Sequence, residues 1–109
     1  MRIEDVPFAI TDFAQVPAVE YPGETGKAVW RTIERGNLRV RIVEYSADYK
    51  ADHWCSRGHV VFVLHGELTT ELQGGDRFVM KPGMSYQVGD GAAAHRSVTV
   101  SGATLFIVD

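Results

Sequence analysis

The stretch DHWCSRGHVVFVLHGEL, residues 52–68, decides the fold of this chain. Its second half, HVVFVLHGEL (59–68), sets five apolar residues in succession and thereby predicts a β-strand that is buried on both faces. The same stretch holds three of the four histidines of the chain and its only cysteine. Side chains that favour metal ions therefore gather where an apolar strand begins.

The chain beyond residue 26 predicts further short strands. The segment LRVRIVEY (38–45) has the two-residue period of a half-buried strand, with Leu38, Val40 and Ile42 on one face and Arg39, Arg41 and Val43 on the other. Gly74-Gly75-Asp76 predicts a hairpin turn. Other strands are predicted at 27–36, 77–80, 85–88, 95–100 and 103–108. Short strands with turn residues between them favour an all-β sandwich or barrel.

The N-terminal segment differs from the rest of the chain. Pro7, Pro17 and Pro22 each interrupt a continuous helix or central strand. We therefore expect residues 1–26 to be an irregular, clasping segment and residues 27–109 to form the barrel domain. A chain of 109 residues is long enough for one core but not for two.

Charge and composition exclude several classes of partner. The net charge of −3 and the absence of a Lys/Arg cluster argue against nucleic acid and against an anionic membrane surface. No segment approaches the roughly 18 consecutive apolar residues of a membrane span. Acids and prolines interrupt the N-terminus, which is therefore not expected to be a signal peptide. A single cysteine forms no internal disulfide, which is typical of the cytoplasm.

The residues at the start of the apolar strand have the chemistry of a metal site. On extended backbone, His53 and Cys55 point to the same face, and His59 follows after a short bend. Imidazole nitrogen and thiolate sulfur bind zinc, iron, nickel and copper ions. His65 lies about 20 Å further along the strand and is excluded. The alternative is a surface His53, a buried apolar Cys55 and structural roles for His59 and His95.

The spacing resembles the first motif of the cupins, H-x-H-x(3,4)-E-x(6)-G. In HWCSRGHVVFVLHG, His53 matches the first histidine, Cys55 the second, His59 the glutamate and Gly66 the terminal glycine. The second cupin motif resembles GMSYQVGDGAAAHRSVT, in which His95 matches the histidine after one extra residue. The resemblance covers residues 38–109 and extends to a subgroup of small bacterial proteins, the DHCW-motif cupins.

This resemblance implies a cupin-type double-stranded β-helix, or jelly-roll, barrel with a metal on His53, Cys55, His59 and His95. The thiolate favours Zn²⁺ or Cu⁺ over the harder Mn²⁺ and can also hold Fe²⁺ or Ni²⁺, so we expect a divalent zinc, iron or nickel ion. The extra residue before His95 makes that ligand the least certain to point inward. The cupin resemblance also implies a homodimer.

Several residues are candidates for the lining of a cupin pocket. Trp30, Tyr45, Val61 and Tyr86 could line it, although core packing is the alternative for the aromatic residues. Arg39 and Arg41 share one strand face and would either bind an anionic substrate or cover a solvated or dimer-facing surface.

Three functions fit these expectations. The first is a metalloenzyme acting on a small molecule, and the cupin resemblance implies a dioxygenase, isomerase or lyase. The second is a domain that binds a small ligand or a metal without turnover. The third is a structural cupin whose cluster is either vestigial or redox-sensing, with Cys55 oxidised reversibly. The fold alone does not choose among them.

Overall fold

A computed structural model describes residues 2–109 of the protein, which contain ten β-strands, one 3-10 turn and no α-helix. The all-β prediction is therefore confirmed. The 3-10 turn spans Phe13–Gln15. The strands are β1 (Ala18–Pro22), β2 (Lys27–Arg35), β3 (Leu38–Tyr45), β4 (Tyr49–Lys50), β5 (His59–Gly66), β6 (Leu68–Leu72), β7 (Arg77–Met80), β8 (Ser85–Val88), β9 (His95–Thr99) and β10 (Ala103–Val108).

The strands form two antiparallel sheets. A six-stranded sheet has the order β1-β2-β3-β10-β5-β8, and a four-stranded sheet has the order β4-β9-β6-β7. Alternate residues of β3, β5, β6 and β10 face the core, which is apolar around Val43, Val63, Leu68 and Leu105. No helix among the described residues is long and apolar enough to cross a membrane.

Strand boundaries follow local sequence closely. Four strands, β3, β7, β8 and β10, begin and end where the sequence predicts them, and the Gly74-Gly75-Asp76 segment connects β6 to β7. Gly66 ends β5 with a φ of 76°, in the left-handed region that favours glycine. A Cβ atom at Gly66 would also collide with the carbonyl oxygen of Gly102. This glycine is therefore required where β5 meets β10.

Strand β3 is half-buried as predicted, but its charged face is the one that points inward. Arg41 is only 5% exposed and lies on the same face as the fully buried Val43. In the ladder, Arg41 is opposite Ile107, a core residue of β10. The interpretation of the arginine face as a solvated or dimer-facing surface is wrong for Arg41, because Asp109, directly after β10, compensates its charge inside the protein.

Strand β5 departs from the prediction that both of its faces are buried. Val61 and Val63 are 1% and 0% exposed, whereas Val60 and Phe62 on the opposite face are each 37% exposed. The prediction is therefore wrong for the outer face of β5. An apolar outer face remains accessible on the six-stranded sheet.

From residue 2 to residue 17 the N-terminal segment is irregular apart from the 3-10 turn, but it then forms an edge strand. Strand β1 pairs with β2. This pairing was not predicted, because prolines interrupt the segment. Pro22 is tolerated because it ends a strand at the edge of the sheet. The segment before β1 is attached by hydrogen bonds, since the Asn37 side chain donates to Arg2 O at 2.6 Å and Arg31 Nη1 donates to Val16 O at 2.6 Å.

Candidate metal centre

Three metal-ligating side chains come together at one end of the core. The thiol of Cys55 and one imidazole nitrogen each of His59 and His95 lie within 4.8 Å of one another. Cys55 comes from the loop before β5, whereas His59 and His95 are the first residues of β5 and β9. The group is thus assembled from both sheets.

A short backbone ladder places Cys55 beside His95. Cys55 N donates to His95 O at 2.8 Å, and His95 N donates to Cys55 O at 2.9 Å. Residues that exchange hydrogen bonds in this antiparallel manner point their side chains to the same side. The extra residue before His95 is accommodated in the preceding turn, where Ala92 N donates to Gly89 O at 3.1 Å. His95 therefore keeps its inward orientation and is 3% exposed.

His53 lies apart from the three. Its side chain is 76% exposed, and its Nδ1 lies 2.7 Å from the Asp52 carboxylate. The expectation that His53 and Cys55 share a face assumes extended backbone, but the chain bends at residues 52 and 53. His53 does border the cavity described below, so it lies at the rim rather than in the cluster.

The hydrogen bonds of the two imidazoles determine where their protons lie. His95 Nδ1 is 2.7 Å from the carbonyl oxygen of Ala93, so it carries the proton and leaves Nε2 with a lone pair. His59 Nε2 is 2.8 Å from His95 Nε2 and 3.1 Å from the Tyr86 hydroxyl. We infer that His59 Nε2 carries its proton, because it faces that lone pair.

This arrangement leaves His59 Nδ1 buried and without a hydrogen-bond partner. Its nearest charged neighbour is Asp109 Oδ2 at 3.6 Å, so a lone pair faces a carboxylate. Burial, followed by the charge on His95, lowers the pKa of His59 to about 4. The ring is therefore neutral near pH 7. Nδ1 does not gain a proton at this pH and stays without a hydrogen-bond partner.

These residues fit a bound cation. A metal on Nε2 of His59 would require the other neutral tautomer, in which the single ring proton lies on Nδ1 and faces Asp109. Metal-ligating histidines typically donate their other ring N–H to a carboxylate or a backbone carbonyl. His59 has Asp109 for this role and His95 has Ala93. Cys55 adds a thiolate, which suits a transition metal.

Asp109 is the residue of this site that sequence analysis missed. Its side chain is 1% exposed and accepts two hydrogen bonds from Arg39, both at 2.8 Å, and one from Arg41 at 3.1 Å. Burial alone would raise the pKa of Asp109, but the Arg39 hydrogen bond and the positive charges of the arginines hold it below its usual value. The available signal was the alternation in ATLFIVD, which places Asp109 on the buried face of Leu105 and Ile107.

A cavity of about 320 Å³ opens beside the three ligands. All four residues predicted as possible pocket lining, Trp30, Tyr45, Val61 and Tyr86, border it. Tyr45 stacks on Tyr49 with ring centroids 4.2 Å apart, which gives the cavity a flat aromatic wall. Its size is that of a pocket for a small molecule.

Solved structures resemble the chain in fold. An RmlC-like cupin from Shewanella frigidimarina is 15% identical with a TM-score of 0.78, and the match covers 95% of this chain and 91% of that one. Ectoine synthase from P. lautus is 16% identical with a TM-score of 0.75, covering 93% and 76%. Fe(II)-HppE with the alternative substrate (S)-1-HPP is 17% identical with a TM-score of 0.77, covering 96% and 62%. The chain thus spans less than two thirds of the length of HppE.

No protein family and no curated protein sequence matches the chain. The structural matches therefore show the fold, and the chemistry must be argued from the residues of this site.

Proposed function

We propose that this chain, a small cupin by its fold, holds a divalent transition metal on Cys55, His59 and His95 and binds a small molecule beside it. The observation that carries the proposal is the buried, unpartnered Nδ1 of His59 facing the Asp109 carboxylate. A metal on Nε2 would place the ring proton on Nδ1 and make this unfavourable pair an attractive one, as described above. The residues favour zinc, iron or nickel.

The ligand set leaves room for a substrate. One thiolate and two neutral imidazoles compensate one charge of a divalent ion, and three protein ligands leave a position for water or substrate. A bound metal would supply Lewis-acid or oxygen-activating chemistry. We therefore propose a metalloenzyme of the dioxygenase, isomerase or lyase type that acts on a small molecule.

Tyr86 is positioned to contact a ligand of the cavity. Its hydroxyl lies 3.1 Å from His59 Nε2, and burial raises its pKa, so the phenol stays protonated at neutral pH. With a metal on Nε2, the hydroxyl would keep its own proton and could donate a hydrogen bond to a substrate oxygen. The aromatic side chains of Trp30, Tyr45 and Tyr49 line the same cavity.

Metal analysis of protein purified without a histidine tag tests this proposal. After anaerobic reconstitution with zinc, iron(II) or nickel, we expect about one equivalent of one of these metals to be retained. Cobalt substitution should give a cobalt–thiolate absorption band that Cys55→Ser removes. Retention below about 0.1 equivalent under all conditions would contradict the proposal.

Cys55 favours a second candidate, a metal- or redox-sensing domain without turnover. Its thiol is partly accessible at the cavity, so oxidation would remove a metal ligand. Reversible release of the metal by peroxide, in a protein with no turnover of any tested cavity ligand, would support the sensor over the enzyme.

A further inference from the structure

The cavity beside the metal centre is unusually rich in arginine. Four guanidinium groups border it, those of Arg39, Arg41, Arg57 and Arg96. Three of them converge on one carboxylate, with nitrogen atoms 2.8, 3.1 and 3.3 Å from Asp109 oxygens. One acidic side chain therefore faces three permanent cations.

Arg41 is the most constrained of these arginines. It is 5% exposed, its Nη2 donates to Asp109 at 3.1 Å, and its guanidinium carbon lies 4.5 Å from the centre of the Trp30 ring. Its Nε is buried and has no hydrogen-bond partner among the described residues. A buried N–H without an acceptor is costly, more so when the group is charged. Burial, followed by the charge of Arg39, lowers the pKa of Arg41, yet the guanidinium remains protonated.

The charges of this cluster do not balance. Three guanidinium cations surround one carboxylate, and an excess of positive charge remains even when Glu34 near Arg39 is counted. Uncompensated charge is expensive in a partly buried site. The fourth arginine, Arg96, is already paired with Glu71 at 2.7 Å. A water molecule would satisfy the Arg41 N–H but would not compensate the charge.

We propose that the ligand of this cavity is a small organic carboxylate whose carboxylate group is held by Arg41. The inference rests on the proposed function, because it names the substrate class of the same site. A single oxygen, Asp109 Oδ2, lies 3.1 Å from Arg41 Nη2 and 3.6 Å from His59 Nδ1. A carboxylate on Arg41 therefore holds the rest of a short molecule close to the metal-ligating residues.

The walls of the cavity favour a carboxylate on an organic body. Guanidinium and carboxylate groups match in shape and charge. The remaining lining is largely aromatic and aliphatic, including Tyr45, Tyr49, Val61 and Leu105. Inorganic phosphate would have to lose more of its hydration shell against these walls without gaining apolar contacts.

Trp30 provides a direct optical reporter of this binding, since its ring contacts Arg41. Trp54→Phe leaves Trp30 as the only tryptophan of the chain. In this background we would titrate butyrate, the neutral analogue butyramide and inorganic phosphate, each into metal-free and into zinc-loaded protein. We expect saturable fluorescence changes with butyrate in both forms, and at least about tenfold weaker binding of butyramide and phosphate.

Variants separate Arg41 from the general positive charge of the protein. We expect Arg41→Met to weaken butyrate binding about tenfold or more while zinc uptake is retained. Arg35→Met, which removes an exposed arginine at the end of β2, is the matched control and should bind butyrate as the parent does. If Arg41→Met does not fold, Arg57→Gln serves instead, because that side chain is 54% exposed and its loss should still weaken butyrate binding several-fold.

Each result decides the inference. Binding of butyrate that requires zinc and is unchanged in Arg41→Met, or in Arg57→Gln where that variant replaces it, would show a carboxylate on the metal instead and overturn the inference. Equal binding of butyramide, stronger binding of phosphate or no binding of butyrate would overturn it too. Arginine-dependent butyrate binding in a protein that takes up no metal would support this inference and contradict the metal proposal, so the two failures are distinguishable.

Discussion

Asp109 Oδ2 lies 3.6 Å from Nδ1 of His59, and that nitrogen has no hydrogen-bond partner among the described residues. The carboxylate is held by Arg39 and Arg41, so it is ionised and cannot turn away without breaking three hydrogen bonds. The pair is unfavourable while His59 Nδ1 lacks a proton and favourable once Nδ1 carries one. Metal binding at Nε2 produces the second state.

We expect Asp109→Asn to weaken metal binding roughly 10- to 100-fold, the usual effect of losing the carboxylate partner of a metal-ligating histidine. Competition with a chelator of known affinity measures the change. Asp76→Asn, an exposed acid of the β6–β7 turn, is the matched control. Equal affinities of the Asp109→Asn and Asp76→Asn variants would show that Asp109 does not support the ligand.

Cys55→Ser should reduce the retention of zinc strongly while leaving the fold intact, because a hydroxyl is a much poorer ligand than a thiolate. His53→Gln should retain the metal as the parent chain does, since His53 lies outside the cluster. Metal content after dialysis against chelator compares the two. Loss of metal in His53→Gln would show that His53 is a metal ligand, as the sequence predicts.

The metal-free protein should lose stability as the pH falls from about 6.5 to about 4. The unfolded chain protonates His59 near the ordinary pKa of 6.5, whereas burial delays protonation in the folded state to about 4. The unfolded state therefore binds more protons in this window and is favoured by acid, by a few kcal/mol at most. Urea unfolding at pH 7 and pH 4.5 measures the loss.

Replacing His59 tests the origin of that acid sensitivity. His59→Gln should flatten the pH dependence in this window, whereas His65→Gln, at the exposed end of β5, should leave it unchanged. An unaltered profile in His59→Gln would assign the effect to other groups.

Gly66→Ala should lower the free energy of unfolding by about 2–4 kcal/mol, because alanine would need a left-handed φ and its Cβ would meet the Gly102 carbonyl. Gly74→Ala is the matched control, since a Cβ atom at residue 74 meets no atom within 4 Å. Urea unfolding of both variants measures the difference. Similar stabilities would mean that the β5–β10 junction relaxes easily.

The outer face of the six-stranded sheet should hold a second copy of the chain. Val60 and Phe62 are each 37% exposed there, and the N-terminal segment adds Phe8 at 93% and Ile10 at 87%. Exposed apolar side chains of this size favour association. Sedimentation at micromolar concentration should show a homodimer that Phe62→Glu dissociates and Val79→Glu, on exposed β7, does not. A monomeric parent chain would contradict this prediction.

Much of the fold could be predicted from local sequence. Period-two alternation and glycine-rich turns define β3, β7, β8 and β10 because strand geometry and turn conformation depend on neighbouring residues. The same local rules failed at His53, where two bends replace extended backbone. They also did not identify the buried face of β3, because alternation defines two faces without saying which one is buried.

The sequence by itself determined the all-β class, most strand positions and the concentration of metal-binding residue types at the start of β5. Only the tertiary structure decided that Cys55 meets His95 through a backbone ladder and that Asp109 lies against His59. Residues 55, 59, 95 and 109 are brought together by pairing between strands that are distant in the chain. Tertiary structure also turned Arg39 and Arg41 inward, because the Asp109 carboxylate directly after the adjacent strand β10 offsets the cost of burying their charge.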